Sequence, residues 1–372
     1  MPSIMIGPKN NMIQEKQKYL VFGNGESVHL LKWVKELQKY FDVIVVSSLD
    51  FIPELDELLA EDRKYAFRIK QNEKGVTTSF LRKLTQLQKI IKHIKPDYVN
   101  AHYISSHGLL VALAKVGSQH KFKFIASAWG TDVLVFPWKN KVLFQVMKFI
   151  LTKADWITSD SEYMSDIIKK ITQKDVLTFT FGLNSLPVYD QTNYDENLFF
   201  SNRGLSPNYN IDWVLKVFSE IYKKEPKSRL IVSNAGVEKE NLVQQCKELE
   251  IDKAVEFIGF AKEKEQTDIY TRACGYFSLP SSDSTSVSLL EAMAYGCIPI
   301  LSDIPANREW ISDGINGLLI KEDLPLEKLN LLKERHVQIA EDNRKIIAEK
   351  AIFPDLIHEF VNKITTKQGN QK

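Results

Sequence analysis

The sequence predicts an α/β protein of two doubly wound, Rossmann-like domains facing each other across a cleft. Three observations carry that prediction. Short apolar, β-branched runs alternate with longer amphipathic stretches, the signature of a parallel sheet covered on both faces. The alternation runs through once, then repeats after a polar stretch opened by Pro187. The chain has 372 residues, 44% of them apolar. That is more than one ordinary domain and enough to bury two cores, which excludes wholesale disorder.

The elements follow in order. Tyr19-Leu20-Val21-Phe22 is a continuous apolar run closed by Gly23, so the first strand is placed at 19–22. Val43-Ile44-Val45-Val46 gives the second, at 42–47. Further strands are read at 98–102, 122–127, 156–159 and 176–181. Apolar residues at helical spacing place helices between them at 28–40, 79–95, 106–116, 141–153 and 163–172. The second half repeats the pattern, with strands at 198–201, 230–233, 255–258, 275–279, 298–301 and 318–320. Its helices fall at 211–224, 239–249, 265–273, 287–295 and 306–311. A helical tail over 327–367, interrupted at Pro354, ends in a frayed polar stretch. The domains are therefore drawn at 1–190, 191–340 and 341–372, the last a helical tail expected to pack back on the first domain.

Composition narrows the function. Cys246, Cys274 and Cys297 are too few for a disulfide scaffold, and their spacing matches no zinc-ligand pattern. The first residues lack the apolar core of a secretory signal, and no apolar run approaches a membrane span. The chain carries a net charge of +2, yet residues 1–190 carry +7 and the remainder −5. Residues 63–153 alone carry +14, so the first half is expected to meet something anionic. The stretch 79–95, with Phe80, Leu84, Leu87, Ile91 and Ile94 on one face, reads either as a sheet-covering helix with a solvated lysine face or as a helix lying on an anionic membrane. Residues Phe136 to Lys141 add aromatic and basic side chains to that surface. The aromatic–basic interleaving is too thin for nucleic-acid binding.

Two loops after strands draw the chemistry. Gly23-Asn24-Gly25-Glu26-Ser27 follows the first strand. It reads as a dinucleotide fingerprint lacking its third glycine, as a tight turn capped by Ser27, or as a phosphate-contacting loop. The window from Ser281 to Ile300 runs from a strand end through a polar loop into a helix that stops at Gly296. A helix amino end offers free N–H groups and a positive dipole end to an anion. Ser284, Thr285, Ser286 and Ser288 are small enough to let one approach, and Asp283 and Glu291 could accept hydrogen bonds from sugar hydroxyls. The plainer alternative is that Ser286 caps the helix and Glu291 is solvated.

This window resembles the donor-binding signature of the retaining GT-B glycosyltransferases of family four: Glu, seven residues, Glu, then Ala-Met-Ala-x-Gly-x-Pro-Val. Here it is Asp283, seven residues, Glu291, then Ala292 to Ile300. Ser302 to Glu309, Asp313 to Leu319, Phe199 to Leu205 and Val255 to Phe260 are similar to the family's further second-domain elements. Pro96 to His102, Ala128 to Asp132 and Ala154 to Ser159 resemble its first-domain pieces in the same order.

The resemblance implies roles. Glu291 would hold ribose hydroxyls, and Asp283 would contact the donor sugar. The N–H groups of Ser286, Val287 and Ser288, with Arg203, would hold the diphosphate. The Gly25 loop would close over it, and Phe260 would pass near the base. Arg203 and Asp283 would be the catalytic pair, while His102, Trp129 and Asp132 would contact sugar or acceptor, although a strand-end His is also an ordinary structural residue. Three positions depart from the pattern: Asp283 replaces Glu, Asn208 replaces the usual Lys with Lys262 as a substitute, and Trp129 replaces a His. The expected activity is a retaining transfer from a UDP- or GDP-linked sugar to a hydroxyl of a glycan or lipid-linked acceptor. It needs no cofactor and no metal, and belongs to polysaccharide assembly at the cytoplasmic face of a membrane, with weak peripheral contact. The alternatives are an epimerase or phosphorylase of the same fold, a non-catalytic nucleotide-sugar-binding protein, and a dinucleotide-dependent dehydrogenase, against which the glycine count argues.

Overall fold

The computed structural model describes residues 15–69, 82–190 and 192–366. The chain's first fourteen residues, positions 79–81 of the basic helix and the polar tail after 366 lie outside them. The strands are β1 (Lys18–Gly23), β2 (Asp42–Ser47), β3 (Lys64–Ala66), β4 (Tyr98–His102), β5 (Lys123–Ser127), β6 (Trp156–Ser159) and β7 (Leu177–Thr178). Then come β8 (Asp195–Ser201), β9 (Arg229–Ser233), β10 (Val255–Gly259), β11 (Ala273–Ser278), β12 (Ile298–Ser302) and β13 (Leu318–Ile320). They form a seven-stranded sheet in the order β3-β2-β1-β4-β5-β6-β7 and a six-stranded sheet in the order β10-β9-β8-β11-β12-β13. The paired strands are parallel. By internal contacts the chain divides into Met1–Ser127 with Phe149–Trp156, and Ala128–Lys148 with Ile157–Lys372.

Each sheet reverses its strand order once, between β1 and β4 and between β8 and β11. Loops leaving the carboxyl ends of two such strands diverge and leave a crevice, the usual ligand position in open α/β sheets. Residues 23–25 and 102 stand at the first reversal, and Arg203 and the 279–286 loop at the second.

Ile211–Lys224 shows why the second sheet holds together. Ile211, Val214, Leu215, Val217, Phe218 and Ile221 recur at helical spacing and are buried, with Asp212 in the first turn and Lys223 and Lys224 in the last, matching the helix dipole. Phe218 meets Phe199 of β8 edge-on at a centroid distance of 6.0 Å, and Phe199 meets Phe277 of β11 at 5.7 Å. Val287–Ala294 buries Leu289, Leu290, Ala292, Met293 and Ala294. It stops at Gly296, whose φ of +88° only glycine adopts readily, and where a Cβ would stand 2.5 Å from the Tyr189 ring.

Four expectations shift. β3 was not read from the sequence: Lys64, Tyr65 and Ala66 carry no apolar run. The strand expected at 176–181 shrinks to Leu177–Thr178, because Phe179 and Phe181 turn to pack on Phe360 and Phe353 of the last helix. The break expected at Pro354 falls instead at 351–352, where Leu183 N donates to Ala351 O and Phe353 N to Leu183 O. Pro354 then sits in the first turn of Phe353–Thr366, where its missing N–H costs no helix bond. The helix expected at 106–116 is Leu109–Gly117, preceded by a wide-turn segment, Ile104–Gly108, that follows Tyr103 at φ +74°.

Phe218→Ala should lower unfolding stability by about 3–5 kcal/mol through the cavity it leaves. Urea unfolding checks this: the midpoint should fall with little change in slope.

Candidate functional site

Arg203 is the first residue to place. It leaves β8 one residue beyond Asn202, and its side chain is 11% exposed. Nη2 donates to Asp283 Oδ2 at 2.6 Å, and Nη1 donates to Ser288 Oγ at 3.1 Å and to Ser286 Oγ. Its guanidinium lies over the Tyr209 ring, 4.4 Å from the centroid. Burial disfavours the charged form, yet Asp283 and the surrounding tyrosines outweigh it and hold the Arg203 pKa above its ordinary value. Burial likewise raises the Asp283 carboxyl, opposed by Arg203 and by the N–H of Ser284. Asp283 Oδ1 accepts that N–H at 3.0 Å, so both oxygens are engaged within the protein.

Ser286 stands at the cap position of Val287–Ala294, yet its side chain makes no capping bond. Its hydroxyl accepts from Arg203 and lies 2.8 Å from Ser288 Oγ. The simple capping alternative therefore fails, and the helix amino end keeps its dipole without a side-chain cap. Glu291 lies one turn further on, half-buried, with Oε2 accepting from the Tyr270 hydroxyl at 3.1 Å. Tyr276 OH lies 2.7 Å from Ser288 Oγ and 2.8 Å from Asn202 Oδ1, while Asn202 Nδ2 donates to Tyr270 OH and Gln266 Oε1. Burial raises both phenols, which therefore remain protonated donors.

Asn208, which stands where the resemblance expects Lys, fixes the loop from beneath: its Nδ2 donates to Ser282 O and its carbonyl accepts from Ser281 N. Lys262 is exposed, just ahead of helix Glu263–Arg272. Phe260 is 78% exposed at the end of β10.

Asp132 is buried and accepts from Trp129 N at 3.0 Å. Its turn abuts the 281–286 loop, since a Cβ at Gly130 would stand 3.9 Å from Ser284 Cβ. Asp160, just after β6, accepts the Ser284 hydroxyl. Arg203, Asp283, Ser284, Ser286, Ser288, Glu291, Trp129 and Asp132 thus all belong to the second unit, together with Asp160. Among the described residues, no group of three or more His, Cys, Asp and Glu side chains is disposed to hold a metal ion.

Gly25 and His102 belong to the first unit. Ser27 caps Val28–Leu37 by accepting from His29 N, as the tight-turn reading expects. The Gly25 N–H donates to Ser47 Oγ at 2.8 Å, and a Cβ there would stand 2.4 Å from Asp50 O. Gly25 is needed for that close approach, and its own N–H is spent on it. His102 is buried against Trp33, with Nε2 3.1 Å from Asn100 Oδ1.

Residues 18–161 match the Glycosyl transferase 4-like family, and residues 190–348 match Glycosyl transferases group 1. The chain belongs to the group 1 glycosyltransferases. Its fold is the GT-B fold. The alpha-monoglucosyldiacylglycerol synthase of Streptococcus pneumoniae is 28% identical over 172 residues, 44% of this chain and 38% of that one. The N-acetyl-alpha-D-glucosaminyl L-malate synthase of Bacillus anthracis is 22% identical over 294 residues, 74% and 76% of the two chains. The chain spans less than half the length of the first four curated relatives it matches. The crystal structure of Anabaena HepE in complex with UDP aligns with a TM-score of 0.74 at 13% identity, covering 94% of this glycosyltransferase and 100% of HepE.

The sequence reasoning missed Asn202, Tyr270 and Tyr276 as the support of the glycosyltransferase's serine cluster. Asn202 adjoins Arg203 and was within reach of inspection. The tyrosines come from a helix and a strand that carry no motif, and only the fold brings them to Ser288 and Glu291.

Burial holds His102 at a pKa of about 3 and His107 at about 4, against an ordinary 6.5. Both are neutral in the folded glycosyltransferase. As pH falls below 6.5 the unfolded chain takes up protons first, so stability is lost from pH 6.5 down to about 4 for His107 and about 3 for His102. Unfolding midpoints across that window should fall steadily in the wild type and less steeply in His102→Gln.

Proposed function

We propose that this glycosyltransferase uses a UDP-linked hexose or N-acetylhexosamine. The observation that carries the reading is the buried Arg203 fork, which reaches the hydroxyls of Ser286 and Ser288 at an uncapped helix amino end beside Asp283. The donor's diphosphate would lie over that helix end and Arg203, its ribose on Glu291, its base near Phe260 and its sugar toward Asp283. HepE was crystallised with UDP-glucose, and the streptococcal GtfA relatives are named for UDP-N-acetylglucosamine, which supports UDP over GDP.

In the mechanism, the bond between the sugar's anomeric carbon and the diphosphate oxygen would break as an acceptor hydroxyl attacks from the same face, retaining configuration, with the hydroxyl proton passing to the departing diphosphate oxygen. Charge grows on the leaving diphosphate. Arg203, held charged by Asp283, and the helix dipole would stabilise it without a divalent ion. Asp283, whose oxygens accept from Arg203 and the Ser284 N–H, would offer a remaining lone pair to a sugar hydroxyl, and Trp129 and Asp132 would line the acceptor side. The acceptor is a glycan or lipid-linked hydroxyl, a reading supported by the lipid product named for the pneumococcal relative. The domains would divide at 190 and 340, with the tail clasped on the segment around Phe179 and Phe181. No helix among the described residues is long and apolar enough to cross a membrane. Peripheral contact at the inner face of the cell membrane is supported by Trp138 (55% exposed) and Val142 (70%) beside the exposed Lys139 and Lys141. No acidic residue lies between Asp132 and Asp155.

Glu291→Ala should weaken UDP binding by about 10- to 100-fold, read by calorimetry. Arg203→Ala should lower kcat by about 10²–10³, with a smaller effect on donor affinity. Unchanged turnover in Arg203→Ala contradicts the mechanism, and so does loss of turnover in EDTA. Anionic vesicles should sediment the protein at low salt and release it at high salt.

A further inference from the structure

We infer that Asp160 is a positioning residue for the donor site: by accepting the Ser284 hydroxyl, it fixes the 281–286 loop in the shape that sets Asp283 on Arg203. The inference rests on the donor-site reading above but uses a residue to which that reading gives no task. Asp160 holds Ser284 and Thr285, whereas Arg203 holds Asp283, Ser286 and Ser288.

The connection is made three times over. Ser284 Oγ donates to Asp160 Oδ1, Thr285 Oγ1 donates to the Asp160 carbonyl at 2.9 Å, and Ser284 Oγ lies 3.1 Å from Ser161 Oγ. The anchor is itself rigid. Ser161 caps helix Glu162–Thr172, its Oγ accepting from Met164 N at 3.2 Å. The Glu309 carboxylate takes the next two N–H groups, of Glu162 at 2.9 Å and Tyr163 at 2.7 Å. The 281–286 loop is six small or polar residues with no large apolar side chain to anchor it. Held only by Arg203, Asn208 and Asn210, it would sample more conformations, and Asp283 would lose register with the guanidinium.

The charges facing Asp160 are those of Asp132, from the 129–132 turn, and Asp283, from the donor loop. Burial pushes the Asp160 carboxyl up to about 7. The Ser284 bond opposes that shift, and the two neighbouring carboxylates reinforce it. Near neutrality Asp160 is therefore part protonated. Its ionisation as pH rises adds a third negative charge beside Asp132 and Asp283, close to where an anionic donor would bind.

The test uses the full chain with Asp160→Ala, Asp160→Asn and Ser284→Ala. Hydrogen exchange of peptides covering 281–288 is read without ligand, then UDP affinity and the pH profile of turnover. Asp160→Ala and Ser284→Ala should speed exchange of that loop by about tenfold or more, while Asp160→Asn, which keeps an oxygen acceptor, should leave it near wild type. UDP affinity and kcat/KM should fall about tenfold in the two alanine variants. The asparagine variant should keep most of its turnover and lose the inflection near pH 7. If Asp160→Ala fails to fold, Ser284→Ala alone decides. Unchanged loop exchange in the alanine variants overturns the role, and so does a loosened loop with unchanged UDP affinity. If Glu291→Ala still abolishes UDP binding in either case, the donor site stands and only the role of Asp160 falls. If Glu291→Ala leaves binding intact, the donor-site reading fails, and loop exchange still decides whether Asp160 holds the loop.

Discussion

A guanidinium placed at a sheet's topological reversal must be paired where it is buried, and the second half of this protein is arranged around that requirement. Removing a charge from water costs several kcal/mol unless a counter-charge and hydrogen bonds replace the solvent. Arg203 obtains all of these: Asp283 at 2.6 Å, two serine hydroxyls, and the face of Tyr209. The partners can meet because β8 and β11 are neighbours, so the loops that leave them start side by side. The aromatic core of Phe199, Phe218 and Phe277 keeps those strands in register. In the proposed mechanism the Arg203–Asp283 pair would keep a cation in place before the donor arrives, so that little reorganisation is needed when charge develops on a leaving group.

Around the pair runs a layer of neutral donors. Tyr270 and Tyr276, held protonated by burial, link Ser288, Glu291 and Asn202. Rings that also pack on Phe200 give the polar groups a stiff apolar backing. A carboxylate such as Glu291 is then oriented before it meets a ligand, which reduces the entropy lost on binding.

Many strands were legible in the sequence, several to the residue, because burial on both faces favours runs of Val, Ile, Leu and Phe. Lys64–Ala66 was not, since a short half-buried strand needs no apolar pattern. The fate of Phe179 and Phe181 was invisible as well: their partners lie far along the chain, and periodicity carries no information about long-range contacts. In the site, Asp283, Ser286 and Glu291 could be singled out because acidic and hydroxyl residues cluster at a strand-to-helix turn, and Arg203 through the family resemblance. That Ser286 serves Arg203 instead of capping its helix could not, because both roles use the same hydroxyl and only geometry separates them. Asp160 was visible only as an isolated carboxylate. Its meaning depends on Ser284, more than a hundred residues away.

A crystal structure of the enzyme with UDP tests the central claim most directly. The account predicts β-phosphate oxygens within hydrogen-bond distance of the N–H groups at Ser286–Ser288 and of the Arg203 fork, with ribose hydroxyls on Glu291. A nucleotide bound elsewhere, or bound there with Arg203 turned away from its phosphates, would contradict it.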